Sequence, residues 1–272
     1  MTAAEFTTPI LKQTRIAEDI YNLTLGPHPA MLTATPGQFV QLAVGPTWDP
    51  LLRRPFSICY VKDDGAFNIL YRAQGKGTAL LAHLCAGASV NVLGPLGHGF
   101  TLPQAPTSDP IVLVGGGIGT PPLVFLAQSL SNMGIRPHVT LGFTNADQVI
   151  CEEYFRACGA HLSIATDDGS YGYHGLVTEL LEQINKPALI YACGPRGMLA
   201  AVAHFANTRR ISCQVSMEEH MACGMGVCLG CVCKTKVTAP AAPQPNAVGG
   251  PGWQWQRVCM EGPVFDAAEV IF

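Results

Sequence analysis

Ile111-Val-Leu-Val114, followed by Gly115-Gly-Gly-Ile-Gly-Thr120-Pro-Pro122, is the stretch on which the fold turns. Four apolar residues, a glycine-rich turn and two prolines in what would be the first turn of a helix read as strand, tight turn and helix. The uncharged span from Ile111 to Ile135 is long enough to suggest a membrane helix. Gly115, Gly116, Gly117, Gly119, Pro121 and Pro122 interrupt it, however, and Gln128, Ser129, Ser131 and Asn132 make its second half amphipathic. Downstream the rhythm repeats. Apolar runs at His138–Phe143, His161–Thr166 and Ala188–Ala192 alternate with helical segments at Gln148–Ala157, Val177–Ile184 and Arg196–Thr208. That alternation predicts a parallel sheet covered by helices.

Toward the N-terminus the pattern is different. Short alternating runs at Asp19–Leu25, Gln38–Val44, Ser57–Val61 and Phe67–Arg72 predict strands, with Asp63-Asp64-Gly65 as a hairpin turn. One helical stretch, Thr78–Leu84, opens directly after Gly75-Lys76-Gly77. After residue 212 the chain becomes cysteine-dense and is interrupted by a Pro/Ala/Gly stretch, residues 238 to 252, that predicts a surface loop. The chain is thus expected to be an α+β multidomain protein. An antiparallel β-barrel spans 1–102, an α/β parallel-sheet nucleotide domain 103–212, and a small cysteine module 213–272.

Composition sets limits on function. Charged residues make up 13% of the chain, against roughly 25% in a typical soluble domain, so part of the surface is expected to be covered by another protein chain. A net charge of −3 offers no basic footprint for nucleic acid or an anionic membrane. The N-terminal residues lack a basic start followed by an apolar core, so no secretory signal is read and the expected location is cytoplasmic. Eleven cysteines in that setting point to reduced thiols or metal ligands. Neither a nucleophile elbow nor an H-E-x-x-H motif supports hydrolysis.

Three motifs carry chemistry. Cys223-Gly-Met-Gly-Val-Cys228-Leu-Gly-Cys231, with Cys259 further along, has the C-x4-C-x2-C…C spacing of plant-type 2Fe–2S sites. Gly224, Gly226 and Gly230 would let the backbone wrap the cluster and turn amides toward sulfur. Four thiolates also suit structural zinc, although zinc sites more often use two short ligand pairs. Cys233 competes for the third-ligand role, but its place at the start of a strand favours a spare thiol. Second, the turn Gly115, Gly116, Gly117, Gly119 and Thr120 stands where a pyrophosphate meets a helix N-terminus, though a plain tight turn would look similar. Gly194 and Pro195 end a later strand at the same sheet edge, and Cys193 there is the candidate to line a nicotinamide site. Third, Arg53-Arg54-Pro55-Phe56-Ser57 places a phosphate-binding fork beside an aromatic ring and a hydroxyl. A surface arginine leading into a core strand is the simpler reading of the same residues. Cys59, Cys85, Cys151 and Cys158 read as small core residues.

In this order the motifs resemble the ferredoxin-reductase superfamily, a flavin-binding barrel followed by a nicotinamide domain. With the cysteine loop added, the chain resembles the electron-transfer subunits of NAD-linked dihydroorotate dehydrogenases over essentially its whole length. The resemblance is carried by Asp49–Ser57, Leu70–Arg72, Gly75–Thr78, Gly94–Phe100, Gly115–Thr120, Thr166–Ser170, Tyr191–Pro195, the cysteine loop and Cys259–Phe265. It implies an NADH-oxidising flavoprotein subunit with FAD on Arg54, Pro55, Phe56, Ser57, Leu70, Tyr71, Arg72, Gly77 and Thr78. It also implies a 2Fe–2S cluster on Cys223, Cys228, Cys231 and Cys259. The implied partner is an FMN-binding catalytic subunit that forms orotate for pyrimidine synthesis, in a heterotetramer with two copies of each chain. A flavin links nicotinamide, which gives two electrons as hydride, to a cluster that takes one.

Two features depart from the family. Phe56 stands where the superfamily often has Tyr, and the 27 residues between Cys231 and Cys259 exceed the usual gap. The alternative is the flavin subunit of a ferredoxin-NADP reductase or a cytosolic hydrogenase, some of which carry Asp at the first cluster position, where this chain has Cys223. A redox sensor and a zinc-stapled binding module are readings from other classes. NADH is expected over NADPH, because Thr144, Asn145, Asp147, Glu152, Glu153, Asp167 and Asp168 surround the adenosine end, with Arg156 set back from it.

Overall fold

Seven antiparallel strands open the chain: β1 (Ala4–Ala17), β2 (Ile20–Leu25), β3 (Phe39–Ala43), β4 (Arg54–Ser57), β5 (Tyr60–Val61), β6 (Phe67–Arg72) and β7 (Ser89–Leu96). The structure, a computed structural model, describes residues 3–45, 49–105, 107–237 and 249–272. β1 serves two halves of the sheet, pairing with β7 through Ala4–Pro9 and with β2 through Ile10–Ala17. The strand order is β4-β3-β7-β1-β2-β6-β5. Ser57–Val61, expected as one strand, is instead a corner between the two edges. Ser57 pairs with Phe39, the Ile58 N–H donates to the Gln38 carbonyl at 3.0 Å and the Cys59 N–H to Asn68 at 2.8 Å, and Tyr60 pairs with Asn68. Changing partners in this way curls the sheet into a barrel around Leu23, Val40, Leu42, Ile58, Phe67 and Ile69. Between β6 and β7 runs α1 (Lys76–Ala82), which begins two residues earlier than the sequence suggested.

The second sheet has order β11-β10-β9-β8-β12-β13, with a C-terminal strand, Val264–Asp266, beside β13 at its edge. Its parallel strands are β8 (Ile111–Gly116), β9 (His138–Phe143), β10 (His161–Thr166), β11 (Tyr173–His174), β12 (Leu189–Cys193) and β13 (Ser212–Ser216). The helices are α2 (Pro121–Asn132), α3 (Glu152–Ala157), α4 (Val177–Glu182) and α5 (Arg196–Arg209). Residues 148–157, read as one helix, divide into a 3-10 turn and α3, because Cys151 at φ 67° breaks the path. Leu123, Leu126, Leu130 and Phe155 of α2 and α3 share a core with Ile20, Cys59 and Leu70 of the barrel. On the other face Val177, Leu181, Leu199 and Val202 share a core with Cys231 and Cys259. Cys59 and Cys151 are buried as expected, but Cys158 is only half-buried and Cys85, three residues after α1, is exposed.

The C-terminal segment adds β14 (Val232–Lys236), β15 (Gly249–Gly250) and β16 (Trp253–Arg257) as a small antiparallel sheet. β17 (Val264–Asp266) then returns antiparallel to β13, so this segment completes the second sheet. Most of the stretch expected as a loop, residues 238–248, lies outside the described residues. Its end, Gly249–Gly250, pairs with β16.

Candidate functional site

The order β9-β8-β12-β13 reverses direction between β8 and β12, and open parallel sheets bind ligands at such a switch point. The turns after the two strands touch there. A Cβ on Gly119 would lie 2.6 Å from the Gly194 Cα, so only glycine allows this approach. Gly116, Gly117, Gly119, Gly194 and Pro195 line a cleft of about 520 Å3 together with Thr144, Asp167, Val177 and Glu218. Gly115, Thr120 and Cys193 do not reach its wall. Cys193 pairs with Gly115 on one side and Ser216 on the other, inside the sheet, and is 1% exposed. Burial, with the nearby Glu218 charge, pushes its thiol pKa up and leaves it inert. Thr120 is fully buried, its hydroxyl without a hydrogen-bond partner. Arg156, which does not line this cleft, is held by Glu152 at 2.6 and 2.9 Å, and Glu152 also accepts from the Tyr171 hydroxyl. Asp168 is occupied by Ser170, whose hydroxyl and amide hold its carboxyl pKa below the ordinary value.

All nine residues of the expected flavin set line a second cleft, of about 430 Å3. β4 supplies Arg54 through Ser57, laid against Leu42–Phe39 of β3, and β6 supplies Leu70 through Arg72, laid against β2. The two arginines of the motif separate in role. Arg53 bonds Glu5 at 2.7 Å and the Asn91 carbonyl at 3.3 Å. Arg54 forms no ion pair among the described residues, donates only to the Leu52 and Arg53 carbonyls, and lies against Gly77 at the start of α1. A cation without a carboxylate, in a cleft of ordinary cofactor size, suits a pyrophosphate. Thr78 Oγ1 accepts from the Gln74 and Gly75 amides at 3.0 and 3.1 Å and fixes that helix start. Phe56 is nearly buried against Tyr71, with 5.4 Å between ring centroids.

Reading motifs along the sequence missed Ser216-Met-Glu-Glu-His-Met221, which forms the far wall of the flavin cleft. The available signal was its place directly after the carboxyl end of β13, at the edge where ligands bind. Glu218, Arg72 and Ile118 line both clefts, so the two meet there. Surrounding protein raises the Glu218 carboxyl pKa. Two residues beyond Met221 stands Cys223, at most about 7 Å of chain away.

The cysteine loop brings the four expected thiols together as two pairs, Cys223 with Cys228 and Cys231 with Cys259. Every one of these sulfurs accepts a backbone amide. Cys223 takes three, from Met225, Val227 and Cys228 at 3.3 to 3.4 Å. Cys228 accepts from Gly230 at 3.4 Å, Cys231 from Cys259 at 3.4 Å, and Cys259 from Gly226 at 3.2 Å. Burial raises the Cys223 thiol, but the amides and Cys228 outweigh it and bring it to about 7. Burial and Cys231 push Cys259 up to about 12. No group of three or more histidine, cysteine or acidic side chains converges on one metal position among the described residues. Four thiols in two pairs that accept backbone amides would suit a two-iron cluster held by Cys223, Cys228, Cys231 and Cys259. Cys233 is buried on β14 in the same core as Cys231 and Cys259, outside the two pairs, and burial pushes its thiol up to about 12. Arg257 pins the loop by donating to the Gly226 carbonyl at 2.7 Å while forked onto Glu261.

A flavin-type barrel, a dinucleotide crevice and a thiolate module together define a nicotinamide-linked redox protein. The model of the iron-sulfur cluster binding domain of dihydroorotate dehydrogenase B matches residues 218–271. Over 264 residues, 96% of each chain, the protein is 44% identical to the dihydroorotate dehydrogenase B (NAD(+)), electron transfer subunit, of Geobacillus thermodenitrificans. It is 43% identical to that of Bacillus caldolyticus over the same extent. Among solved structures, an NADH-dependent reduced ferredoxin-NADP oxidoreductase matches with a TM-score of 0.80 and 26% identity, over 97% of this chain and 89% of that one. A cytochrome P450 reductase of Amycolatopsis matches with a TM-score of 0.64 and 25% identity, over 76% and 67%. The chain belongs to the family of electron transfer subunits of dihydroorotate dehydrogenase B (NAD(+)). The ferredoxin-NADP reductase alternative has a structural neighbour in this set, but at much lower identity.

Proposed function

We propose that this chain links a nicotinamide dinucleotide to an FMN-carrying catalytic subunit that oxidises dihydroorotate to orotate, in a cytoplasmic assembly with two copies of each chain. Its cofactors are FAD and a 2Fe–2S cluster, and its nucleotide is NADH. FAD held in the barrel cleft would supply chemistry that accepts two electrons as hydride and releases them singly, so this chain would join a two-electron carrier to a one-electron carrier. The route works in either direction. The relatives are named for NAD(+), so dihydroorotate oxidation sends two electrons through this chain to NAD+, forming NADH. NADH in turn drives the reverse flow to an added acceptor.

The observation that carries the reading is the continuity of three sites. Both clefts share Glu218, Arg72 and Ile118, and the segment walling the flavin cleft continues within two residues to Cys223. Arg54 and the start of α1 hold the FAD pyrophosphate, while Leu70, Tyr71 and Ser57 hold the ring end. The turns at Gly116–Gly119 and Gly194–Pro195 receive the nicotinamide nucleotide. Cys223, Cys228, Cys231 and Cys259 ligate the cluster. Around the cluster loop Met225, Val227, Leu229 and Met260 are exposed, with Val227 at 78%. Apolar side chains around an exposed Cys228 suit a docking surface for the catalytic subunit and account for part of the chain's low charge. The chain purified anaerobically should contain one FAD, two irons and two sulfides, and should co-purify with the FMN subunit. FMN in place of FAD, or zinc in place of iron, contradicts the reading.

A further inference from the structure

Gln41, at the centre of β3, is wholly buried, yet neither atom of its carboxamide has a hydrogen-bond partner in the structure. Buried amides are nearly always paired, because leaving water without a new partner is unfavourable. Alternation along β3 sends Val40 and Leu42 into the barrel core and leaves Gln41 on the opposite face. What it faces is the cysteine loop. A Cβ built on Gly224 would lie 2.5 Å from the Gln41 Nε2 and 2.9 Å from its Oε1. Gly224 adopts φ +69°, so both its conformation and the Gln41 amide against it require glycine. Gly224 follows Cys223, the sulfur that accepts three backbone amides. Gln41 is absent from the lining of the flavin cleft, although its ladder partner Pro55 belongs to it.

We propose that Gln41 is a positioning residue for the cluster, and that its side-chain N–H donates to sulfur at the Cys223 end of the site. The inference rests on the reading that the loop holds a 2Fe–2S cluster. Reduction adds negative charge that spreads onto the sulfurs, so a donor there favours the reduced form and raises the potential. The backbone amides of the loop supply such bonds already. Gln41 adds one from outside the loop, from the strand beside the flavin cleft, and so ties the potential of the electron exit to the barrel.

The test is a potentiometric titration of the full chain carrying its cofactors, followed by electron paramagnetic resonance, for wild type and Gln41→Leu. Leucine keeps the volume and removes the donor. The variant should retain its iron and FAD while its cluster becomes about tenfold harder to reduce at a fixed potential, roughly a 59 mV downward shift for a one-electron couple. A loaded variant with unchanged midpoint and line shape overturns the inference. Should Gln41→Leu not load, wild type carrying glutamine labelled with 15N in its side chain provides the readout. The reduced cluster should show a weak 15N coupling in pulsed resonance, and its absence overturns the inference. A wild-type protein without any 2Fe–2S signal would instead overturn the cluster reading, and this inference with it.

Discussion

The flavin cleft and the cysteine loop handle the same electrons and are built on opposite plans. The cleft is assembled from distant parts of the chain, with β4, β6 and α1 on one wall and Ser216–Met221 on the other. Its polar groups are mostly side chains, carried on strands, on α1 and on the segment after β13. The loop is nine consecutive residues plus Cys259, and its polar groups are backbone amides aimed at sulfur. Hydride transfer needs two rings held face to face and sheltered, which only a crevice between domains provides. A single electron needs no such alignment, and the proposed exit lies at the surface, with Cys228 exposed and Cys231 and Cys259 buried.

If this contrast holds, changes at the cleft affect cofactor and nucleotide binding and spare the iron. Arg54→Ala removes the one cation of the motif free to meet a pyrophosphate. FAD affinity should fall about ten- to a hundredfold, roughly 1.5–3 kcal/mol, with iron content unchanged in the same sample. Arg53→Ala, which breaks only a bond to Glu5 and the Asn91 carbonyl, should leave FAD affinity within a factor of about three. Equal losses from both would mean that the cleft does not distinguish them.

At the adenosine end of the nucleotide cleft the effect should be smaller. Asp167 lines that cleft, and Arg156, which does not, is already taken by Glu152. NADH should be preferred over NADPH at least about tenfold in kcat/KM, about 1.4 kcal/mol, in steady-state reduction of a dye. Comparable use of both nucleotides would favour the ferredoxin-NADP reductase alternative.

Changes at the loop rim should do the converse. Val227→Asp places a charge in the exposed apolar surface and should weaken association with the FMN subunit about tenfold by titration, leaving NADH-to-dye turnover unaltered. Cys233→Ser should change nothing in the iron content, since that thiol stands outside the two pairs and takes none of the loop amides. Iron lost in this variant would reassign the third ligand.

The same contrast explains what could be read in advance. The cysteine loop was legible because its ligands are adjacent in sequence, where spacing is visible directly. The parallel sheet was legible because its central strands, such as β8, are buried and run as apolar blocks, and His138–Phe143 and His161–Thr166 match the structure residue for residue. The barrel was harder to read. β1 alternates only as far as Ile10, then changes partner there and exposes Leu11, Lys12 and Ile16, so its 14 residues do not present one clean pattern. The corner at Ile58–Cys59 is equally invisible, because it depends on two partners far away in sequence. Glu218, where the clefts meet, belongs to no motif at all. Only the folding of β13 beside β12 brings it there.

The central claim is that hydride enters or leaves at the clefts and single electrons at the cysteine loop. Cys228→Ser in the assembled complex separates the two. NADH oxidation should be measured twice, by bleaching of the FAD in this chain and by reduction of the partner's FMN. The variant should lose its iron, bleach its FAD with NADH at the wild-type rate, and pass no electrons to the FMN. FMN reduction at the wild-type rate in protein shown to be free of iron would contradict the account.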